Sequence, residues 1–331
     1  MKIIIPMAGM GKRMRPHTLT VPKPLIPIAG KPMVQHIVED LAGICPEKIT
    51  EIAYVISRAF GKEAEKNLLA VATKLGAQGK IYYQDEPLGT AHAILCAKDS
   101  LDEKTLIAFA DTLFVADKTA KVDTNKDGII WVQKIEDPRQ FGVVKLDGEG
   151  FITDFVEKPQ TFISDLAIIG IYYFKDGAYL KNEMQHLIDN DIKDKGEFQL
   201  TNAMENMKQK GTKFVTSQVA EWLDCGNKDA TIYTNKRILD HKKITGKSEG
   251  GKIIQPCFVG ENVKIVNSTV GPFASIGDNC VIENSTVENC IVQTNTKVKN
   301  AQLSNTLLGN YVEFTGNAKD ASIGDYSTIK N

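Results

Sequence analysis

From Gly251 to the C-terminus the helical spacing of apolar residues stops, and β-branched residues, Asn and Gly take over. Val259 and Ile265 stand six residues apart, as do Val270, Ile276 and Ile282, and again Val292 and Val298. The tetrapeptide Asn267-Ser268-Thr269-Val270 returns as Asn284-Ser285-Thr286-Val287, seventeen residues later. An apolar period of six with small polar residues between is the signature of a parallel β-helix. Each hexad supplies one short strand, three strands close a triangular coil, and stacked coils bury a shared core. The ~80 residues available make roughly four coils. Slips between the three apolar series predict irregular corners.

The preceding region has a different texture. Over residues 1 to about 112 strands and helices alternate. Ile3 to Ile5, Glu51 to Ser57, Lys80 to Gln84 and Thr105 to Asp111 read as strands, and Lys62 to Leu75 and Thr90 to Ala97 as helices. Pro32 stands where a first helical residue would, ahead of Met33, His36, Ile37 and Leu41. This order predicts a mostly parallel sheet with helices on both faces. Strands follow over Ile129 to Ile135, Phe141 to Leu146, Phe151 to Val156 and Ile168 to Phe174, then helices within 178–190, 199–210 and 227–243, with a strand around Phe214 to Val219 between the last two. A chain of 331 residues exceeds the usual size of one core. Two domains are expected, 1–245 and 251–331.

Charge and cysteine usage exclude several classes. Lys and Arg total 40 against 41 for Asp and Glu, a net charge of −1, which lacks the basic excess of a general nucleic-acid binder. An anion site must therefore be a local cluster of cations. The six cysteines form no C-x-x-C pair and no zinc-spaced cluster, so free thiols in a reducing cytoplasm are expected. Pro6 interrupts the short apolar start before it reaches signal-peptide length, and no stretch approaches the ~20 apolar residues that span a bilayer.

The first strand leads into Ala8-Gly9-Met10-Gly11-Lys12-Arg13-Met14. Glycines there let the backbone approach a phosphate, with amide N–H groups aimed at it. The loop lacks the third glycine of the dinucleotide fingerprint and the Gly-Lys-Ser/Thr ending of a Walker loop. Taken alone it reads equally as a tight strand-to-helix turn. Its continuation, Arg15-Pro16-His17-Thr18, Pro22-Lys23-Pro24-Leu25-Ile26-Pro27 and Gly30-Lys31-Pro32, is an extended, Pro-rich segment. Prolines fix φ, so this segment holds Arg13 and Lys23 at set positions beside an amide nest. Two such cations make a triphosphate clamp.

Together these segments resemble the signature of the sugar-1-phosphate nucleotidylyltransferases, which include glucose-1-phosphate thymidylyltransferases, uridylyltransferases and mannose-1-phosphate guanylyltransferases. The resemblance covers residues 1 to about 230. It departs at Lys12, where the family usually has Thr. The resemblance implies that Ala8, Gly9, Gly11, Lys12, Arg13 and Lys23 meet the nucleotide phosphates. Within Gln84-Asp85-Glu86-Pro87-Leu88-Gly89-Thr90-Ala91 it implies that Gln84, Gly89 and Thr90 bind the nucleotide, with Gln84 and the Gly89 backbone reading the base edge. Asp111, in Phe109-Ala110-Asp111, and Asp224, in Trp222-Leu223-Asp224-Cys225-Gly226, match the two acidic positions that hold Mg²⁺. Glu157 and Lys158, in Glu157-Lys158-Pro159, match the residues that contact the sugar and its phosphate. Gly142, Gly170 and Tyr172 match sugar-pocket segments, and Gly196-Glu197 a further family segment.

The implied reaction joins a nucleoside triphosphate, with dTTP or UTP favoured, to a sugar 1-phosphate, with glucose 1-phosphate favoured, releasing pyrophosphate. Mannose 1-phosphate with GTP is the alternative. Acyl transfer by the β-helix is the first rival, but it generally needs a histidine base, and His17, His36, His92, His186 and His241 all precede the hexapeptide region. A non-catalytic sensor of nucleotide sugars is the second rival. Arg13, Lys23, Asp111, Lys158 and Asp224 are all retained, which favours an enzyme. The expected fold is a Rossmann-like, mixed, mostly parallel α/β sheet plus a short left-handed parallel β-helix. The exposed end of that β-helix predicts a homo-oligomer.

Overall fold

The computed structural model describes residues 1–117 and 120–330. The described residues form six α-helices: α1 (Met33–Ile44), α2 (Gly61–Lys74), α3 (Thr90–Leu95), α4 (Gly177–Asp189), α5 (Leu200–Gln209) and α6 (Lys228–His241). The chain gathers into two compact units. One comprises Met1–Gly9 with Ile37–Trp222, the other Met10–His36 with Leu223–Asn331.

The first unit is built on a nine-stranded sheet. Its main path runs Ile152–Val156, Val143–Leu146, Leu166–Phe174, Thr105–Ala108, Lys2–Pro6, Glu51–Ile56, Gln78–Tyr83. The last four of these strands pair in parallel. Leu166–Phe174 runs antiparallel to Thr105–Ala108 and also pairs with Gly128–Lys134, which carries Phe214–Ser217. Three of these strands, Thr105–Ala108, Lys2–Pro6 and Glu51–Ile56, are short, largely buried runs, as expected where both faces are covered, whereas the edge strand Gln78–Tyr83 is only partly buried. Ile3, Ile4 and Ile5 are buried, as is every residue of Glu51–Ile56. One apolar cluster joins Ile4, Val55, Ile94, Ile107 and Val132 to Leu180, Met204 and Phe214. α4 starts where Asp176 accepts a 2.8 Å hydrogen bond from the Tyr179 amide, a side-chain cap on an otherwise orphaned donor. The expected strand Thr105 to Asp111 ends at Ala108. The Phe109 amide turns instead to the Gly170 carbonyl at 3.0 Å, so Asp111 lies in the turn beyond the strand.

In the second unit the Pro-rich stretch is not extended as expected. It coils into three single-turn 3-10 helices, Lys12–Met14, His17–Leu19 and Lys23–Leu25. Proline carries a helical φ and tolerates the start of such turns; Pro16 and Pro22 cap the second and third turns, and Pro24 is the second residue of the third. Pro32 is likewise not the first helical residue. It belongs to the two-residue strand Lys31–Pro32, paired with Pro27–Ile28, and α1 begins at Met33. A residue preceding proline favours extended backbone, which keeps Lys31 in that hairpin.

The hexapeptide region of this unit forms coils of parallel strands. Three ladders define their sides, with rungs beginning at Lys252, Thr269, Thr286, Gln302 and Asn317, at Phe258, Ser275, Ile291, Leu307 and Ser322, and at Lys264, Val281, Lys297, Glu313 and Thr328. Each ladder has five rungs rather than the four expected. The rise from rung to rung shortens from 17 residues (Lys252 to Thr269) to 15 (Gln302 to Asn317), so the same length of chain makes one more coil. The slipped apolar register reflects these shortened corners. Asn262, Asn267, Asn279 and Asn284 turn corners at positive φ, a conformation Asn tolerates better than other L-residues with larger side chains. Their amides stack from coil to coil, Asn267 donating to Asn284 at 3.4 Å and Asn284 to Asn300 at 3.2 Å. Val270, Ile276, Ile282, Val287, Val292 and Val298 fill the interior.

Candidate active site

The candidate residues divide between the two units, and each unit assembles its own set.

In the first unit Ala8 and Gly9 follow the Lys2–Pro6 strand, at the carboxyl end of a parallel sheet where ligands bind in folds of this kind. Gln84 follows the Gln78–Tyr83 strand. Its amide nitrogen donates to the Gly89 carbonyl at 3.4 Å and meets His92 Nδ1 at 3.2 Å. Burial lowers the pKa of His92 from its ordinary 6.5, with Glu86 opposing the shift. The ring is therefore neutral near pH 7, and Nδ1 is free to accept. Gly89 caps α3 at φ 118°, a conformation L side chains avoid. A Cβ there would strike the backbone of Phe198, whose own N–H and C=O bond Leu88 and Ala91 at 2.8 and 2.9 Å. Thr90 is held inside the fold. Its hydroxyl donates to Gln199 Oε1 at 3.0 Å and accepts the Leu200 amide at 2.9 Å. Gln199 in turn donates to Glu197 at 2.9 Å.

The same unit brings Gly142, Glu157 and Lys158 together. Glu157 Oε2 accepts from Thr201 at 3.3 Å and stands 3.2 Å from where a Gly142 Cβ would be. The Lys158 amide bonds the Phe141 carbonyl at 3.1 Å, and its ammonium lies 3.7 Å from Glu157 Oε1. Lys158 adopts φ 40°. Lys195, which sequence reasoning passed over, donates to the carbonyls of Glu157 and Lys158 at 3.1 and 2.7 Å and so ties down both. Its only signal was adjacency to Gly196-Glu197. Gly170 packs against Phe109. Tyr172 is 6% exposed within the apolar cluster. Burial raises its pKa well above the ordinary value, and Glu157 and Asp111 add to the shift. Asp111 itself is exposed.

In the second unit Gly11 turns at φ 57°, and a Cβ there would come within 3.0 Å of both Lys23 Cβ and Thr18 Cγ2. The tight turn therefore packs the loop against Lys23. Lys12 and Arg13 are exposed, whereas Lys23 is only 8% exposed. Among the described residues no carboxylate pairs with Lys23. Asp224 closes the Glu221–Asp224 strand, and its Oδ1 accepts the Gly226 amide at 2.9 Å. A Cβ on Gly226 would lie 3.0 Å from both Asp224 oxygens and 3.2 Å from Arg13 Nη2, so Arg13 and Asp224 converge on one bare stretch of backbone.

The family model described as "Nucleotidyl transferase" matches residues 2–241. The chain belongs to the nucleotidyl transferase family. It is therefore a transferase. Relatives include a glucose-1-phosphate thymidylyltransferase of Streptomyces antibioticus, 28% identical with 100% of this chain and 99% of that one aligned. The bifunctional protein GlmU of Methanocaldococcus jannaschii is 30% identical over 98% of this chain and 81% of its own. A crystal structure of UDP-glucose pyrophosphorylase complexed with UDP-glucose superposes with TM-score 0.60 at 23% identity, covering 73% of this chain and 99% of that one. At that identity it speaks for the shared fold. The family match spans all the candidate site residues, from Ala8 to Asp224. No helix among the described residues is long and apolar enough to cross a membrane.

Proposed function

We propose that this family member couples dTTP or UTP to glucose 1-phosphate, giving a nucleotide sugar and pyrophosphate. The observation that carries this reading is the buried Lys23 beside the Gly11 turn. A cation removed from water without a counter-charge is costly, and a polyphosphate held by the neighbouring amides supplies that charge. Exposed Arg13 and Lys12 extend the positive surface of the same loop.

The base preference rests on Gln84. With its amide hydrogens turned to Gly89 and His92, the amide oxygen is left as an acceptor. Uracil and thymine offer an imino N–H to such an oxygen, whereas cytosine offers an acceptor there and is repelled. Guanine also has an imino N–H, which keeps GTP with mannose 1-phosphate as the alternative. Thr90 and Gly89 set the position of this reader. Gly142, Glu157, Gly170 and Tyr172 are the proposed sugar residues, and Lys158 holds the sugar phosphate.

In the transfer, a phosphate oxygen of the sugar phosphate attacks the α-phosphorus. A new P–O bond forms, the α–β bridge bond breaks, and its electron pair leaves with pyrophosphate. No protein nucleophile is required, so catalysis comes from positioning and charge stabilisation. Lys158 offsets the repulsion between two anions, while Arg13 and Lys23 stabilise the charge on the triphosphate and departing pyrophosphate. Asp111 and Asp224 are the proposed Mg²⁺ ligands. Both are exposed carboxylates, the hard oxygen donors that Mg²⁺ takes one or two at a time with substrate phosphates filling the rest. Bound Mg²⁺ would supply charge neutralisation on the phosphates.

The assignment of 1–245 to catalysis and 251–331 to a β-helix domain belongs to this proposal. So does a cytoplasmic location, supported by six free cysteines. A homo-oligomer is likewise proposed.

The test is pyrophosphate release across dTTP, UTP, GTP, CTP and ATP against the 1-phosphates of glucose, mannose, galactose and N-acetylglucosamine. Turnover with dTTP or UTP and glucose 1-phosphate is expected. A blank grid from protein that still binds nucleotide would make it a non-catalytic sensor.

A further inference from the structure

The transfer chemistry leaves the closing coil of the second unit without a role, yet that coil touches the signature loop at three points. Ser322 Oγ lies 3.0 Å from His17 Nε2. Thr20 donates to Asp325 Oδ2 at 2.8 Å. Gly324 fits so closely under Pro16 that a Cβ would stand 2.9 Å from Pro16 Cβ. The coil side of the contact is anchored. Asp325 Oδ1 accepts the Asn310 amide at 2.8 Å, and Oδ2 accepts Asn310 Nδ2 at 3.1 Å, from the preceding coil.

The loop side leads inward. Thr18, between the two hydrogen-bonded residues, donates to the Gly11 carbonyl at 2.9 Å. Its methyl group and Lys23 Cβ close around the Gly11 turn. The His17 carbonyl accepts both the Thr20 hydroxyl and the Val21 amide at 3.3 Å. A shift of the Pro16–Thr20 segment would therefore move Gly11 and Lys23, the groups assigned to the triphosphate. The coil contributes no cation of its own at these contacts. What it supplies is a fixed surface: a hydroxyl, a carboxylate already tied to its own coil, and a bare backbone position.

We infer that Ser322, Gly324 and Asp325 are positioning residues for the phosphate-binding loop, through which the β-helix coils set the enzyme's affinity for its nucleoside triphosphate. The inference rests on the assignment of Gly11 and Lys23 to that substrate. It goes beyond a scaffolding role, because it predicts an effect confined to one substrate.

The test compares wild type with the full-length double variant Thr20→Val/Ser322→Ala, which leaves Asp325 and its coil bonds intact, and with Gly324→Ala, which wedges Pro16 away. Initial rates are measured with dTTP and glucose 1-phosphate, and amide hydrogen exchange is followed over residues 10–25. Loss of the His17–Ser322 bond and of the bond from Thr20 to the Asp325 carboxylate should raise KM for dTTP about tenfold, leave KM for glucose 1-phosphate within about twofold, and speed exchange in the Gly11–Lys23 segment about tenfold. The conservative pair Thr20→Ser/Ser322→Thr, which keeps both hydroxyls, should restore all three. Unchanged exchange in that segment overturns the inference, as does an equal change in both KM values or a lowered melting point with both KM values intact. If wild type releases no pyrophosphate, the substrate assignment fails separately, and the exchange comparison alone decides whether the coil holds the loop.

Discussion

Acidification is expected to destabilise the second unit through His17, and His17→Gln isolates the effect. The ring is 1% exposed, its Nε2 meets Ser322, and its Nδ1 has no partner among the described residues. Burial therefore penalises the imidazolium and lowers its pKa from 6.5 to about 4, against a smaller opposing pull from Asp325. The unfolded chain takes up a proton near 6.5, whereas the folded chain resists until about 4. The contribution to stability is thus complete above pH 6.5 and is lost as pH falls from there to about 4. Holding the ring neutral over that interval corresponds to about 3 kcal/mol in all, of which about 2 kcal/mol is lost by about pH 5. Denaturant unfolding, followed by far-UV circular dichroism at about pH 7.5 and about pH 5, measures the loss. Gln keeps a nitrogen near the Nε2 position and does not titrate. Wild type should therefore lose about 2 kcal/mol more than His17→Gln between the two conditions. Parallel losses in the two proteins would refute the reasoning, because the shared carboxylates and the other histidines cancel in the comparison.

Arg13→Ala should lower kcat about a hundredfold, as loss of one charge from a transition-state clamp does; pyrophosphate release at the wild-type rate would remove Arg13 from the mechanism. Asn235→Ala should cost about 3 kcal/mol in denaturant unfolding. Its fully buried amide accepts from the Ala29 amide at 2.8 Å and the Ser275 hydroxyl at 2.7 Å and donates to the Phe273 carbonyl at 3.2 Å, so all three would be orphaned. Gly89→Ala should cost at least about 2 kcal/mol, from a strained φ together with the clash at Phe198. A thermal melt unchanged from wild type would contradict that reading of the α3 start.

The sequence alone determined the class of each region, because periodicity and turn chemistry are local. The six-residue apolar spacing around Val270, Ile276 and Ile282 forces short parallel rungs, and Asn at the corners follows from its ease at positive φ. The apolar run Ile3 to Ile5 and the strand–helix alternation predict a parallel core, and the motifs from Gly11 to Asp224 identify the family. Tertiary structure decided the rest, because it depends on residues far apart in sequence meeting. The Pro-rich segment reads as extended from its composition, but closing Gly11 onto Thr18 and Lys23 requires the compact 3-10 turns. Lys195 gains its place only by reaching the carbonyls of Glu157 and Lys158, 38 and 37 residues away. His17 meets Ser322 across 305 residues. No local pattern encodes that contact, since its stability comes from burying the ring against a coil whose position is set by every coil stacked before it.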